Sequence, residues 1–519
     1  MTDFPWLTTL AAVPLLGAVA VAALPQGRDL LAKQVALAVS LVPLAMTIWL
    51  ALDFDANSKE MFQFTEFHEW IPQFGVSYSL GVDGIALVLI ALATVLTPVC
   101  ILASWHDVEQ SAIGESRRSV KGYFALLLLL ETFMVGVFAA TDVFLFYVLF
   151  EAMLVPMYFI IGSYGGAQRS YAAVKFLLYS LVGGLLMLAA VIGLYVSSPG
   201  GPKAFLFENL LGTQLGTTTE RLLFLGFFVA FAIKAPLWPV HTWLPDAAAE
   251  APPGGAVLLV GVLDKVGTFG MIRFCLPLFP DAAKWATPVI LTLAVIGILY
   301  GALLAIGQTD MKRLIAYTSI SHFGFIVLGI FAMTTQGQSG STLYMVNHGF
   351  STAALFLIAG FLISRRGSRL IADFGGVQRV APMLAGTFLV AGLSSLALPG
   401  LSSFVSEFLV LVGTFSRYEA AAVIATGGII LASLYILWMY QRTMTGEPNE
   451  HTSVFKDLNV REAWVVAPLL AVIIALGFYP KPLLDVINPA VARTMQQVGV
   501  TDPQPITPAA GTVSEGAGK

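Results

Sequence analysis

Fourteen stretches of this chain stay apolar for ~20 residues at a time, which is the length at which a helix crosses the hydrocarbon layer of a bilayer. They cover roughly residues 4–24, 30–52, 81–104, 120–140, 142–164, 170–197, 221–245, 252–275, 285–306, 311–333, 341–364, 382–415, 418–441 and 462–480, each bounded by charges, Pro or Gly. Lipid offers no partner to a backbone N–H or C=O, so a run of this kind must satisfy its polar groups internally, as a helix does. The expected fold is therefore an all-α polytopic membrane protein with about 14 transmembrane helices. Composition excludes the soluble alternative. Only 11% of the residues are charged, against about 25% in soluble domains, too few to cover a water-facing surface. The first stretch has no basic segment ahead of it and is longer than a signal-peptide core, so it is read as a retained helix.

Little chain is left outside these stretches. Asp53 to Leu80 alternates polar residues with Phe62, Phe64, Phe67 and Trp70, a pattern that fits a short hairpin. Residues 198–220 form a second connector, and residues 481–519 a tail whose last ~20 residues, rich in Pro, Thr, Gly and Ser, read as disordered. The formal net charge is −4 and no block of like charges occurs, which argues against nucleic acid as a partner. Cys100 and Cys275 are far apart in apolar runs and match no redox, zinc or iron–sulfur spacing. Sixteen basic residues, including Arg117 and Arg118, fall on one side of the expected membrane and nine, including Lys519, on the other, with Lys234 and Lys265 assigned to neither. The positive-inside rule then puts both termini on the extracytoplasmic side.

Two stretches contain proline where a continuous helix excludes it. The seventh reads FLGFFVAFAIKAPLWPVHTWLP, with Pro236 and Pro239 just after Lys234, and the twelfth reads LAGLSSLALPGLSSFVSEF, with Pro399-Gly400 shortly before Glu407. Such breaks free backbone carbonyls, which a membrane tolerates only against protein or a wet cavity. The breaks are five helices apart, and an odd-numbered unit sets its second copy upside down. Residues 120–275 (helices 4–8) and 285–441 (helices 9–13) are accordingly read as inverted repeats, each with a broken fourth member. Residues 1–119 hold helices 1–3 and the extracytoplasmic loop, and 442–480 the last helix. The arrangement indicates transport.

An ionisable residue at mid-membrane costs at least about 2.5–3.5 kcal/mol on insertion scales, so each one needs a reason. Glu151 lies deep in FLFYVLFEAMLVPMYFIIG with no basic residue within a turn. It is either a protonated carboxyl hydrogen-bonded to a neighbouring helix or the partner of Lys234 in a proton switch. Lys234 and Lys265 are single ammonium groups in apolar helices, and desolvation eases proton release from such a group. A purely structural ion pair is the alternative for each. Asp264 adjoins Lys265, but adjacent helical residues diverge by about 100°. His322 and His348 occupy consecutive stretches and can pass protons near neutral pH; a haem held by both, or a static packed pair, are the alternatives. Glu407 supplies a carboxylate in the second broken helix where the first supplies Lys234. His241, read as facing a loop, and Glu131, with no evident partner, stay outside this set. By symmetry, a proton would travel from Glu151 and Lys234 past Lys265, His322 and His348 to Glu407.

No GxGxxG, Walker A, HExxH or G-x-S-x-G motif occurs, so no nucleotide, flavin or metal is expected in this chain. The stretches FEAMLVPMYFIIG, AFAIKAPLWPVHTWLPDAAAEAP, VLLVGVLDKVGTFGMIRF, IGQTDMKRLIAYTSISHFGFI, YMVNHGFSTAALFLIAG and LPGLSSFVSEFLVL resemble the antiporter-like membrane subunits of respiratory complex I (proton-translocating NADH:quinone oxidoreductase) and of the related multisubunit cation/proton antiporters. Residues 80–480 carry the likeness. Within that family the chain most resembles the M-type subunits, equivalent to subunit 4 of the mitochondrial enzyme, because Glu407 stands where the L and N subunits usually have Lys and the tail lacks the long lateral helix of L. The resemblance implies fourteen helices in two inverted five-helix repeats. It implies Glu151 and Lys234 as the input pair, Lys265, His322 and His348 as the central hydrated relay, and Glu407 as the output carboxylate. It further implies a non-redox subunit of an energy-transducing membrane, taken as the bacterial plasma membrane, with the L and N subunits as neighbours. FMN, iron–sulfur clusters and quinone would belong to partner subunits. A subunit of a cation/proton antiporter with no NADH link is the alternative function.

Overall fold

A computed structural model describes residues 4–110 and 119–504; Arg117, Arg118, Lys519 and most of the segment read as disordered lie outside the described residues. Helices fill every apolar stretch. In chain order they are α1 (Trp6–Ala23), α2 (Asp29–Asp53), α3 (Gly84–Ala103), α4 (Val120–Ala139), α5 (Val143–Tyr164), α6 (Arg169–Ser197), α7 (Thr217–Lys234), α8 (Trp243–Glu250), α9 (Pro253–Leu278), α10 (Pro280–Ile306), α11 (Met311–Phe331), α12 (Thr335–Arg366), α13 (Pro382–Ser395), α14 (Ser402–Phe415), α15 (Glu419–Met444), α16 (Val460–Phe478) and α17 (Lys481–Val498). Among the described residues, twelve are long and apolar enough to cross a membrane. The seventh and twelfth stretches are divided instead, into α7 with α8 and α13 with α14, because Pro236 and Pro399 deny the i→i−4 hydrogen bond that would carry each helix onward. Across the first gap, Leu237 N–H returns to the Ala232 carbonyl at 2.9 Å and the Trp243 indole N–H to that of Ile233 at 2.9 Å. Those contacts satisfy carbonyls that the break would otherwise leave bare.

The helix α12 runs through the centre of the molecule. It packs against α3, α9, α11, α13, α14, α16 and α17, and 94% of its apolar window is buried, as is 94% of α11 and all of α9, against 28% of α2. The spans richest in Ser, Thr, His and charge are thus the ones withdrawn from lipid, as the cost of polar groups in hydrocarbon requires. α9 is not a uniform α-helix: Leu259–Leu263 and Met271–Cys275 are π-helical. Each such turn widens the spiral by a residue and frees a carbonyl, a distortion common at functional sites.

The loop after α2 folds as a hairpin of β1 (Gln63–Ile71) and β2 (Val76–Val82), antiparallel. Gly75 closes it at φ +67, where a Cβ would also lie 2.3 Å from the Gly201 carbonyl oxygen, so the position is restricted to glycine. Strand bridges Leu80–Ala140 and Asp142–Leu206 fasten the hairpin to the α4–α5 turn and the connector before α7. Asp142 anchors that junction. Its carboxylate accepts the N–H groups of Phe144 and Leu145, capping α5, and that of Ser77, each at 2.9 Å. The tail begins as the helix α17, which the apolar-run reading left unassigned because only one face is apolar: Ile487, Ala490, Val491, Met495 and Val498 are buried against α3 and α12.

Candidate functional site

Glu151 stands on α5 against α6 at a point where α6 has no side chain. A Cβ built on Gly184 would lie 1.9 Å from Glu151 Oε1 and 2.4 Å from its Cδ, so the carboxyl group fills the place of a side chain on the neighbouring helix. Lys234 is the last residue of α7. Its ammonium lies over the rings of Phe150, at 4.9 Å, and Phe176, at 5.7 Å, and makes no hydrogen bond or ion pair. Glu151 and Lys234 are within electrostatic reach of each other without being in contact. The aromatic faces take the place of water around the cation, a partial compensation for its burial.

The centre of the molecule is more tightly connected. Lys265 Nζ is 2.7 Å from His348 Nδ1 on α12 and donates to the Val260 carbonyl, which belongs to the first π-helical segment of α9. The distortion of α9 therefore has a local use: it presents a carbonyl to the lysine five residues on. His322 on α11 meets His348 edge to face, with ring centroids 5.2 Å apart, and Tyr344 at 5.8 Å. Tyr344 in turn donates its hydroxyl to Glu407 Oε2 at 3.1 Å. Lys265, His348, His322, Tyr344 and Glu407 are all buried. Their side chains form a bent line of successive neighbours from Lys265 on α9 to His348 on α12, His322 on α11, Tyr344 back on α12 and Glu407 on α14.

Tyr344 was not among the residues singled out from sequence, and neither was the polar cluster beside it. Asn347 donates to the Ser402 carbonyl at 2.6 Å and to Ser406 at 3.2 Å, while Ser351 meets Ser394 at 2.8 Å and Ser403 at 3.2 Å. These groups tie α12 to both lips of the α13–α14 gap. Their signal in the sequence was the recurrence of Asn347, His348 and Ser351 within a turn, an unusual density for a transmembrane span. His241, read as facing a loop, is instead buried in the α7–α8 gap with its ring 5.1 Å from that of Tyr300; the gap folds inward because its carbonyls are satisfied there. Glu131 is buried on α4 with both oxygens unpartnered.

A polar mouth lies beyond α8. Asp246 pairs with Lys175 at 2.7 Å and Arg313 at 2.6 Å, and Arg369 joins Glu250 at 2.8 Å to Asp310 at 2.6 Å. These pairs fix α8 to α6, to α11 and to the turn after α12. Next to them opens a cavity of about 610 Å³ lined by Asp107, Glu250, Lys312 and Arg369 among others.

Residues 140–432 match the family described as NADH:quinone oxidoreductase/Mrp antiporter, TM. NADH-quinone oxidoreductase subunit M of Mycobacterium tuberculosis is 56% identical, over 97% of this chain and 96% of that protein. A chain of the structure described as respiratory complex I from Thermus thermophilus with bound NADH superposes with a TM-score of 0.85 at 31% identity, over 95% of this chain and all of that one. A chain of the Mrp complex of Dietzia sp. DQ12-45-1b shares the fold, with a TM-score of 0.83 at 23% identity over 96% of this chain and all of that one. By sequence and by fold, the chain belongs to the subunit M branch of the NADH:quinone oxidoreductase/Mrp antiporter family.

Proposed function

We propose that this chain is the proton-translocating M-type subunit of an NADH:quinone oxidoreductase, moving protons through buried Glu, Lys and His groups while electrons move in other subunits. The observation that carries the proposal is the contact of Lys265 with His348, 2.7 Å apart on the distorted helix α9 and the central helix α12, between two broken helices. Ionisable groups buried at membrane depth are costly, and they mark sites of ion or proton passage. Glu151 and Lys234 are the input pair, Lys265, His348 and His322 the central relay, and Glu407, reached through Tyr344, the output carboxylate. The cavity beside α8 supplies water on the side where most loop arginines and lysines lie, which is the cytoplasmic side in this reading.

The architecture belonging to this function is fourteen spans, α7 with α8 and α13 with α14 each counting as one. Residues 120–275 and 285–441 are two inverted repeats, and both termini are extracytoplasmic. FMN, iron–sulfur clusters and quinone reside in partner subunits, the L and N subunits being the membrane neighbours. In inverted vesicles containing the assembled complex, Lys234→Ala and Glu407→Gln are expected to lower the protons moved per NADH oxidised, with flavin and iron–sulfur content unchanged. Full stoichiometry in both variants would overturn the proposal. Co-purification of the chain with flavin and iron–sulfur absorbance separates this function from that of a cation/proton antiporter with no NADH link.

A further inference from the structure

The relay just described has a gap between Lys234, which touches only aromatic rings, and Lys265, which is held by His348 and Val260. One unused group lies in that gap. Asp264 is buried, and both of its carboxyl oxygens are shut off from solvent without a hydrogen-bond donor. A buried carboxyl with no protein donor is costly in a membrane interior, so its placement calls for a function.

The helix geometry says where Asp264 is directed. Gly267 marks the face of α9 that meets the end of α7, because a Cβ there would lie 2.5 Å from the Phe231 carbonyl oxygen and 2.7 Å from the Ala235 nitrogen. The two backbones are in contact within one residue of Lys234. At about 100° per residue, Gly267 lies roughly 60° around the helix from Asp264 but on nearly the opposite side from Lys265. Thr268, about 40° from Asp264 on the other side, bonds Met345 of α12. Asp264 thus lies between the face of α9 that meets α7 and the face that meets α12, while Lys265 reaches to α12 and His348. Asp264 is within electrostatic reach of Lys265 and Lys234 alike, and Lys234 is in reach of two acidic groups, Glu151 on α5 and Asp264 on α9.

We infer that Asp264 is a proton carrier joining Lys234 to Lys265, an inference that rests on the proposed function above. The Lys234 ammonium gives one proton to the Asp264 carboxylate, leaving a neutral amine and a carboxylic acid. That acid then gives the proton to the neutral Lys265 amine, restoring the carboxylate and forming the Lys265 ammonium. Lys234 is reprotonated from the Glu151 side. The two transfers each move one proton between two named groups and leave the total charge of the three unchanged, while reprotonation of Lys234 adds one positive charge, which is removed when Lys265 passes its proton on to His348.

The test uses the assembled complex in inverted vesicles. Asp264→Asn should lower the protons moved per NADH several-fold, to the value of Lys234→Ala. The Lys234→Ala/Asp264→Asn double variant should be no worse than Lys234→Ala alone, as for groups in series, and Asp264→Glu should restore pumping. A charge that merely balances Lys234 never takes up a proton, so infrared difference spectra on NADH addition give a second readout. With aspartate carboxyls isotopically labelled, the parent should show a labelled carboxylic C=O band that loses its isotope shift in Asp264→Glu. This second readout holds even where Asp264→Asn does not assemble. Full pumping by Asp264→Asn while Lys234→Ala is impaired would overturn this inference alone, as would absence of the labelled band. Full pumping by Lys234→Ala would overturn the relay itself and the inference with it.

Discussion

At the scale of single residues, the ionisable groups of this chain are set by what stands beside them. Glu151 exists as a deep carboxyl because Gly184 leaves room for it, and that relation is testable. In Gly184→Ala the new methyl would sit 1.9 Å from Glu151 Oε1, and the cheapest escape is rotation of the flexible glutamate, since the backbone of α6 need not move. The expected outcome is a complex that assembles normally but pumps several-fold fewer protons per NADH, measured by dye quenching in vesicles. Unchanged pumping would show that the position of the Glu151 carboxyl does not matter. Tyr344 illustrates the opposite case. Its hydroxyl is the donor to Glu407, a role invisible in a sequence where tyrosine in a membrane span is unremarkable and where the partner lies sixty-three positions away.

At the scale of elements, proline breaks and π-turns open helices where polar groups must meet, and caps fix them where they must not move. Asp142 is such a cap, and it carries a pH signature. Burial, outweighing the N–H groups of Leu145, Ser77 and Phe144, pushes its carboxyl up to about 6. In the unfolded chain the same group titrates near its ordinary value of about 3.9. Between these two values the folded protein holds a proton that the unfolded chain has released, so this group's contribution to stability is greatest at low pH and is lost as pH rises through about 6. Asp142→Asn, which keeps one acceptor for the helix N-terminus, should flatten that part of the profile. The check is the thermal unfolding midpoint of the detergent-solubilised protein, parent against variant, across pH 4 to 7, and equal slopes would contradict it.

At the scale of the whole molecule, burial grades the spans between two extreme classes. α9, α11 and α12 are enclosed, with 94% or more of their apolar windows buried, while α1, α2, α15 and α16 are a third buried or less. The exposed faces of the second class, including Leu52, Ile430, Trp464 and Phe478, need lipid or neighbouring subunits to cover them. A lipid-soluble photoreactive carbene precursor, applied to the isolated subunit in liposomes, should therefore label peptides of α2, α15 and α16 and leave α9 and α12 almost unlabelled. Label on α12 comparable to that on α2 would mean that the central helix is not enclosed. In the assembled complex, loss of label from one peripheral helix would identify a subunit contact.

The sequence alone determined that the chain lives in a membrane, where its long apolar helices lie, and that two of them break. These follow from local physics: apolar length, the missing N–H of proline, and the cost of charge in hydrocarbon leave few alternatives over any twenty residues. It also isolated Glu151, Lys234, Lys265, His322, His348 and Glu407, because a charge-poor chain makes each buried polar group conspicuous. What it left undecided was adjacency. Whether Asp264 serves Lys265 beside it or Lys234 thirty positions earlier depends on which face of α9 meets α7. The position of Asp264 between α7 and α12 shows only in the backbone contact at Gly267 and the Thr268–Met345 bond, because the rotation of one helix against another is fixed by packing between distant segments and not by the order of residues along either.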